Sequence, residues 1–425
     1  MTHYGLICPA LTGHLNTIVP LGKELQLRGH RVTLIGIADA QAKALAAGLE
    51  FQVIGELEYP LGSTVETLAK IGELSGKEAL KYTLNNFREQ INIRIRDIPI
   101  VVKNEKIEAL LIDQAVGEGG TIAEICEIPF VTICSAVVLN REPSVPPFMT
   151  NWNHGSSWWA PLRNKLGYKL LDKATKPITE LIGSHRKEKN LSSYSEVNDR
   201  YSPLAQISQQ PAELELPRKK LPLWFHFTGP YHDSIGREVA DFPFEKLTGK
   251  PLIYASLGTL QNRLLPVFQT IAAACQFIDA QLVISLGGSA NPEVLQGLTG
   301  NPLVVRYAPQ LQLLQKAALT ITHAGLNTTL ECLTNGVPMV AIPIANDQPG
   351  VASRIKWSGC GEAIPVKKVD VSNLRTAITK VMTEDSYKKN ALRLQSAIQK
   401  AGGVKRAVDI IEKAITTGKP VLDKR

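Results

Sequence analysis

LTITHAGLNTTLECLTNGVPMVAIPIANDQPGVASR, Leu319 to Arg354, is the stretch whose reading decides the fold. Leu319 to Thr322 reads as a short buried strand. His323-Ala324-Gly325-Leu326 is a turn, and Asn327-Thr328-Thr329 opens a helix. Gly336 closes that helix at the position that favours left-handed backbone. Pro338 to Ile344 is a second apolar strand, and it empties into Ala345-Asn346-Asp347-Gln348, a loop of carboxylate and amide groups. A strand that feeds a helix start presents free backbone N–H groups and the positive end of the helix dipole, which suits a phosphate. The Asp and Gln of the second loop offer acceptors and donors to sugar hydroxyls. Ligands of parallel sheets sit outside the carboxyl ends of the strands, so both features fall on the same edge.

The same alternation extends on both sides. Tyr4–Ala10 is a strand, Leu11-Thr12-Gly13-His14 a turn, Asn16–Arg28 a helix containing Pro20, and Arg31–Ile37 a strand, a β-α-β start that implies a parallel sheet. The first turn holds no G-x-G-x-x-G, so it is not a dinucleotide fingerprint. Further helices are expected at Ala40–Ala47, Thr64–Val102 and Thr121–Cys126, and further strands at Phe51–Ile54, Ala109–Asp113 and Phe130–Cys134. The pattern breaks from Asn140 to Gly167, a stretch rich in Pro, Trp, Ser and Asn that reads as a long loop. Lys169–His185 is amphipathic and basic. The first sheet resumes at Leu204–Ser208 and Phe225–Phe227. Pro251–Ser256, Gln281–Ser285 and Leu303–Tyr307 are strands of a second sheet, with a helix at Leu265–Phe277 and helices from Val371 to Thr383 and from Tyr387 onward. The class is α/β, with two similar halves and a cleft between them. The expected divisions are residues 1–230, a linker at 231–250, a second half at 251–385 and C-terminal helices at 386–425.

Composition bounds the function. With 425 residues, 44% hydrophobic and 20% charged, the chain can form two ordinary globular domains. A formal charge of +8 fits an anionic ligand or an anionic membrane surface and is too scattered to argue nucleic acid. The six cysteines have no C-x-x-C spacing and lie mostly in apolar runs, which points to free thiols in a reducing compartment. No signal-peptide pattern and no apolar run of about 18 residues is visible, so a cytoplasmic protein is expected. No D-x-D, H-E-x-x-H or paired Cys/His motif occurs, so no metal is expected. Gly117-Glu118-Gly119-Gly120 lacks the lysine of a phosphate loop.

HAGLNTTLE…GVPM…P…DQ resembles the donor-binding signature of the inverting, nucleotide-sugar-dependent glycosyltransferases that include plant and bacterial UDP-glycosyltransferases. DQPGVASRI and LAQISQQPAE are most similar to the bacterial zeaxanthin glucosyltransferase branch of that family. The resemblance implies a GT-B fold, two Rossmann-like domains facing each other across a cleft, with the last helices crossing back onto the first. It implies a diphosphate site at His323, Gly325, Asn327 and Thr328, and a ribose-binding carboxylate at Glu331. It implies further phosphate contacts at Ser256, Gly258 and Thr259, and sugar contacts at Asp347 and Gln348. Tyr307-Ala308-Pro309-Gln310 is similar to the start of the family motif, where a Trp usually occupies the Tyr307 position. Tyr307 would stack on the base, with less area than Trp, and Gln310 would face the base edge.

Plainer readings stand beside these. Asn327 or Thr328 could be only a helix N-cap. Thr328-x-x-Glu331 is also a capping box. Ser256–Thr259 could be an ordinary strand-to-helix link, and Asp347 could simply begin the next helix. His14 and Asp113 are the catalytic candidates, since both follow strand ends of the first half. An imidazole suits proton abstraction near neutral pH, and an aspartate can fix its tautomer. GHLNTIVPLGKEL…RGHRV resembles the family's first motif and maps the family's His-Asp pair onto these two residues, whereas His30 reads as structural.

The expectation is a metal-independent UDP-sugar:hydroxyl glycosyltransferase with no cofactor beyond the UDP-sugar co-substrate. The sugar would be glucose. Phe148, Trp152, Trp158 and Trp159 would line the site of a large apolar acceptor, a carotenoid, other terpenoid, polyketide or phenolic, or form a self-packed lid. The same residues would allow peripheral membrane contact. The rival readings are a nucleotide-sugar epimerase and a non-catalytic nucleotide-sugar or lipid-binding protein on the same scaffold.

Overall fold

The computed structural model describes residues 1–74, 76–155, 157–231, 241–258, 264–288 and 291–423. In the first half the strands are β1 (His3–Ile7), β2 (Arg31–Gly36), β3 (Glu50–Val53), β4 (Ala109–Asp113), β5 (Phe130–Cys134), β6 (Gln206–Ser208) and β7 (Phe225–Phe227). The helices of that half are α1 (Thr12–Leu27), α2 (Gln41–Ala46), α3 (Ser63–Glu73), α4 (Gly76–Glu105), α5 (Gly119–Cys126) and α6 (Ala160–Glu188). The second half contributes β8 (Leu252–Ser256), β9 (Gln281–Ser285), β10 (Leu303–Val305), β11 (Ala317–Thr322), β12 (Met339–Ala341) and β13 (Gly361–Ala363). Its helices are α7 (Leu265–Cys275), α8 (Gln310–Leu314), α9 (Leu326–Thr334), α10 (Gln348–Trp357), α11 (Val371–Thr383), α12 (Asp385–Lys400) and α13 (Gly403–Thr417).

Among the described residues the strands form two sheets, in the orders β3-β2-β1-β4-β5-β6-β7 and β10-β9-β8-β11-β12-β13. Every neighbouring pair is parallel, as in Tyr4–Ala109 and Ser256–Thr322. Helices cover both faces, so the central strands are buried throughout and their sequences are almost unbroken apolar runs. In each sheet the strand order reverses at one place, between β1 and β4 and between β8 and β11. These switch points open the crevices in which parallel sheets hold ligands.

The two C-terminal helices join different halves. α12 places Ala391, Leu394 and Ile398 in one core with Leu330 and Leu333 of α9. α13 places Val408, Ile410 and Ile411 in the core of β1 and α1, each contributing about 1.5–3 kcal/mol on burial. The chain passes between the halves through Gly402 (φ 90°) and Gly403 (φ 59°), left-handed positions that only glycine takes without strain.

Several boundaries differ from the sequence reading. The turn expected at Leu11–His14 is the first turn of α1, which begins at Thr12. β12 covers only Met339–Ala341, because Pro338 and Pro343 on either side have no N–H for the ladder. The helix expected over Thr64–Val102 is two helices, α3 and α4. α6 begins at Ala160, inside the expected loop, with Pro161 in its first turn. The aromatic and Pro-rich composition there masked a four-residue spacing of Leu162, Leu166 and Leu170. Part of the expected linker, residues 232–240, lies outside the described residues.

Candidate active site

In the first half, β1 and β4 aim their carboxyl ends at the same crevice. His14 stands in the first turn of α1 and Asp113 ends β4. His14 Nδ1 is 2.8 Å from Asp113 Oδ2. Ser135, just past β5, donates from Oγ to the same Asp113 oxygen at 2.5 Å and lies 2.7 Å from His14 Nδ1. The other oxygen, Oδ1, accepts the Ala115 N–H at 2.8 Å. A carboxylate with these partners favours the His14 tautomer with its proton on Nδ1, which leaves the Nε2 lone pair free to accept a hydrogen bond. Burial lowers the pKa of His14, but the charge and hydrogen bond of Asp113, helped by Asp347, outweigh it. The imidazole therefore titrates above its usual 6.5.

In the second half, β8 leads through Ser256 and Leu257 into Gly258. Thr259, the remaining residue of the expected phosphate turn, lies outside the described residues. His323 follows β11 at the adjacent strand end. Gly258 and Gly325 clasp its ring: a Cβ on Gly258 would come within 2.7 Å of the imidazole, and one on Gly325 within 2.6 Å. Burial pushes the pKa of His323 down to about 4, so it is neutral at physiological pH and can hydrogen-bond a phosphate without adding charge. Ala324 between them is buried with φ 65°, a left-handed conformation that costs about 1 kcal/mol or more for a non-glycine residue.

α9 begins at Leu326, with Gly325 as its N-cap and no side-chain capping bond. The plainer readings of Asn327 or Thr328 as the N-cap, and of Thr328–Glu331 as a capping box, therefore fail, since both residues lie inside the helix. The first intrahelical bond runs from the Thr329 N–H to the Gly325 carbonyl at 3.0 Å, so the N–H groups ahead of it have no partner within the helix. Glu331 is 1% exposed and accepts a hydrogen bond from Gln310 Nε2 at 2.5 Å. Gln310 in turn accepts from the Tyr254 hydroxyl at 3.1 Å. The residues expected at the base edge and at the ribose are thus joined to each other. Tyr307 lies in the turn after β10, beside Gly288. Asp347 is the residue before α10, and its carboxylate accepts the Val137 N–H from the first half at 3.2 Å. Gln348 is buried, and its side-chain oxygen accepts the N–H groups of Ile344 and Ala345 at 2.8 and 2.9 Å, which ties its own loop.

The two halves touch at the site. Asn327 Nδ2 donates to the carbonyl of Gly13, the residue before His14, at 2.8 Å. Asn327 Oδ1 accepts from Gln209 Nε2 at 2.8 Å. One helix further on, the buried Arg354 of α10 donates to both oxygens of Glu215 at 3.0 and 2.5 Å, and Arg218 donates to Glu215 at 3.0 Å. Burial would raise the Glu215 pKa, but the two guanidinium groups prevail and hold the carboxyl at about 2.

The expected acceptor residues separate. A Cβ on Gly350 of α10 would come within 2.6 Å of the Phe148 carbonyl oxygen, and the Phe148 ring packs on the second-half core. Trp152 packs against Gly167 of α6 beneath Arg163, whose guanidinium lies 4.9 Å from the ring centre. Phe148 therefore belongs to the contact between the halves, and the Trp152 carbonyl joins it by accepting from Ser353 Oγ of α10 at 3.3 Å. Trp158 and Trp159 are 88% and 47% exposed, so Trp158 lines no enclosed pocket. Sequence reasoning gave no role to Ser135, Gln209, Glu215 or Arg354. Gln209 and Arg354 did fall within stretches that carried the family resemblance.

Two Rossmann-like halves, with a His–Asp pair at one switch point and a helix start without a side-chain cap at the other, are the arrangement of a GT-B glycosyltransferase. The chain belongs to the UDP-glucoronosyl and UDP-glucosyl transferase family, whose model matches residues 185–413. It is 32% identical over 425 residues to the zeaxanthin glucosyltransferase of Pantoea ananas, covering 99% of this chain and 98% of that protein. It is 28% identical to the zeaxanthin glucosyltransferase of Pseudescherichia vulneris, covering 99% and 100%. The fold is similar to the crystal structure of the glycotransferase of kitacinnamycin, with a TM-score of 0.73, 21% identity and coverage of 97% and 99%.

Proposed function

We propose that this enzyme transfers glucose from UDP-glucose to a hydroxyl of a lipophilic small molecule, with inversion and without a metal. His14 Nε2 takes the acceptor proton while Asp113 stabilises the imidazolium. The acceptor oxygen bonds to the anomeric carbon as the bond from that carbon to the diphosphate oxygen breaks. UDP leaves with the electron pair, and an α-linked donor yields a β-glycoside. The leaving diphosphate is held by the N–H groups at the start of α9, the neutral His323 and the helix dipole. One observation carries the reading: Asn327, at the start of the donor helix, lies 2.8 Å from the carbonyl of the residue before the base. Two relatives bear the name zeaxanthin glucosyltransferase, which supports glucose as the sugar and a carotenoid-like acceptor. UDP release from UDP-glucose should require an acceptor, with product mass increased by one hexose or more. UDP-glucose conversion that needs no acceptor would favour an epimerase, and UDP binding without turnover would favour a binding protein.

The acceptor chemistry suggests where it is met. Trp158, Leu162, Leu166 and Leu170 form an exposed stripe along the start of α6, and Lys165, Lys169, Lys173 and Lys176 are exposed beside it. Such a face fits an anionic lipid surface, with the lysines reaching the headgroups. The protein should co-sediment with vesicles containing phosphatidylglycerol at low salt and lose binding on Leu162→Glu. No sedimentation at low salt would refute the contact.

A further inference from the structure

We infer that Gln209 is a positioning residue that sets the catalytic histidine against the donor helix; this rests on the reading of the site above. Gln209 follows β6 and is buried. Its side-chain Nε2 lies 2.9 Å from Thr17 Oγ1, 2.7 Å from the Ser135 carbonyl and 2.8 Å from Asn327 Oδ1.

These three partners belong to the three parts the reaction must align. Thr17 is on α1, one turn beyond His14, and its hydroxyl donates to the Gly13 carbonyl at 3.1 Å. Ser135 is the residue whose hydroxyl touches both His14 and Asp113. Asn327 is in the first turn of α9 and donates to that same Gly13 carbonyl. Gln209, Thr17, Asn327 and Gly13 thus make a closed ring of hydrogen bonds, with the base as the next residue along the chain.

The amide has two hydrogens for three acceptors, so at any instant it serves two fully. The ring can therefore tighten or relax on the Asn327 side without leaving Gln209 bare. A diphosphate arriving at the start of α9 bears on Asn327 directly, and Gln209 passes the resulting position to α1 and Ser135. A base displaced by about 1 Å loses roughly 10²-fold in rate, so a residue that only holds this distance has a large lever on turnover.

The test is Gln209→Met, which keeps the length and removes the amide. Turnover per UDP-binding site should fall by about 10- to 10²-fold, with UDP affinity and donor KM held within about twofold of wild type. Counting UDP sites by calorimetry removes any unfolded fraction from the comparison. If the methionine variant does not fold, Gln209→Leu, which also removes the N–H donors and adds no charge beside the diphosphate, gives the same readout. Turnover per site within about twofold of wild type would overturn the inference. So would a loss of UDP affinity equal to the loss of turnover, because Gln209 would then only support the donor site. A wild-type enzyme that binds UDP yet transfers no sugar would instead overturn the reading of the site itself.

Discussion

Replacing His14 with alanine should lower acceptor-dependent transfer by about 10²–10⁴-fold, the usual worth of a positioned general base, while UDP binding stays near normal. The separation follows from the architecture: His14 is on α1 of the first half, and the N–H groups that hold the diphosphate are on α9 of the second. Steady-state kinetics beside calorimetric UDP titration would check it, and unchanged turnover would remove the base. The same residue sets the pH dependence. His14 must be neutral to accept a proton, and Asp113 raises its pKa above 6.5. The acid limb of kcat/KM should therefore lie above that value, with activity lost as pH falls through it. In Asp113→Asn the main raising influence is gone and burial is opposed by Asp347 alone, so the limb should move to lower pH as the rate drops. Stability runs the other way. A raised folded pKa means that the His14–Asp113 pair contributes fully below about 6.5 and loses that contribution as pH rises through the folded pKa. The enzyme works where it has given up part of that contribution.

Arg354→Ala should destabilise the protein by about 3–5 kcal/mol, the cost of breaking a buried ion pair by removing one partner. Arg354 and Glu215 are both buried, and the pair joins α10 to the segment after β6. Its loss leaves Glu215 with Arg218 and Gln210 inside the protein. Recovery should need all three charges removed, Arg354→Met with Glu215→Leu and Arg218→Met, because Glu215→Leu alone would leave the buried Arg218 guanidinium without its carboxylate. Because the Glu215 pKa is depressed to about 2, its contribution is present above the unfolded carboxylate value, near 4.3, and is lost as pH falls through about 2. Denaturant unfolding at neutral pH checks the magnitude. A loss below about 1 kcal/mol would show that water or Arg218 replaces Arg354 readily.

The parallel sheets were legible because strands buried on both faces are apolar almost without interruption, as in Ala109–Asp113 and Leu252–Ser256. The candidate site was legible where function rests on local backbone. Leu319 to Thr328 reads as strand, turn and helix start, and the chain forms those elements, with the helix beginning one residue earlier than expected, at Leu326. The start of α6 was hidden by a composition that favours loops. Ser135, Gln209 and Glu215 were not legible because their roles come from tertiary juxtaposition: Ser135 meets His14 across 121 residues, and Glu215 meets Arg354 across 139. A lone polar residue after an apolar strand gives no sign of what it will face. The sequence alone also could not separate a capping threonine from a ligand-binding one. In the structure the N-cap is Gly325, and Thr328 lies inside α9 without capping it.

The most direct measurement is a crystal structure of the complex with UDP. The account places the diphosphate on the N–H groups of Gly325 to Thr328, beside His323, with His14 Nε2 open to the same hollow. A nucleotide bound away from residues 323–331, or seated there with His14 turned out of the hollow, would contradict it.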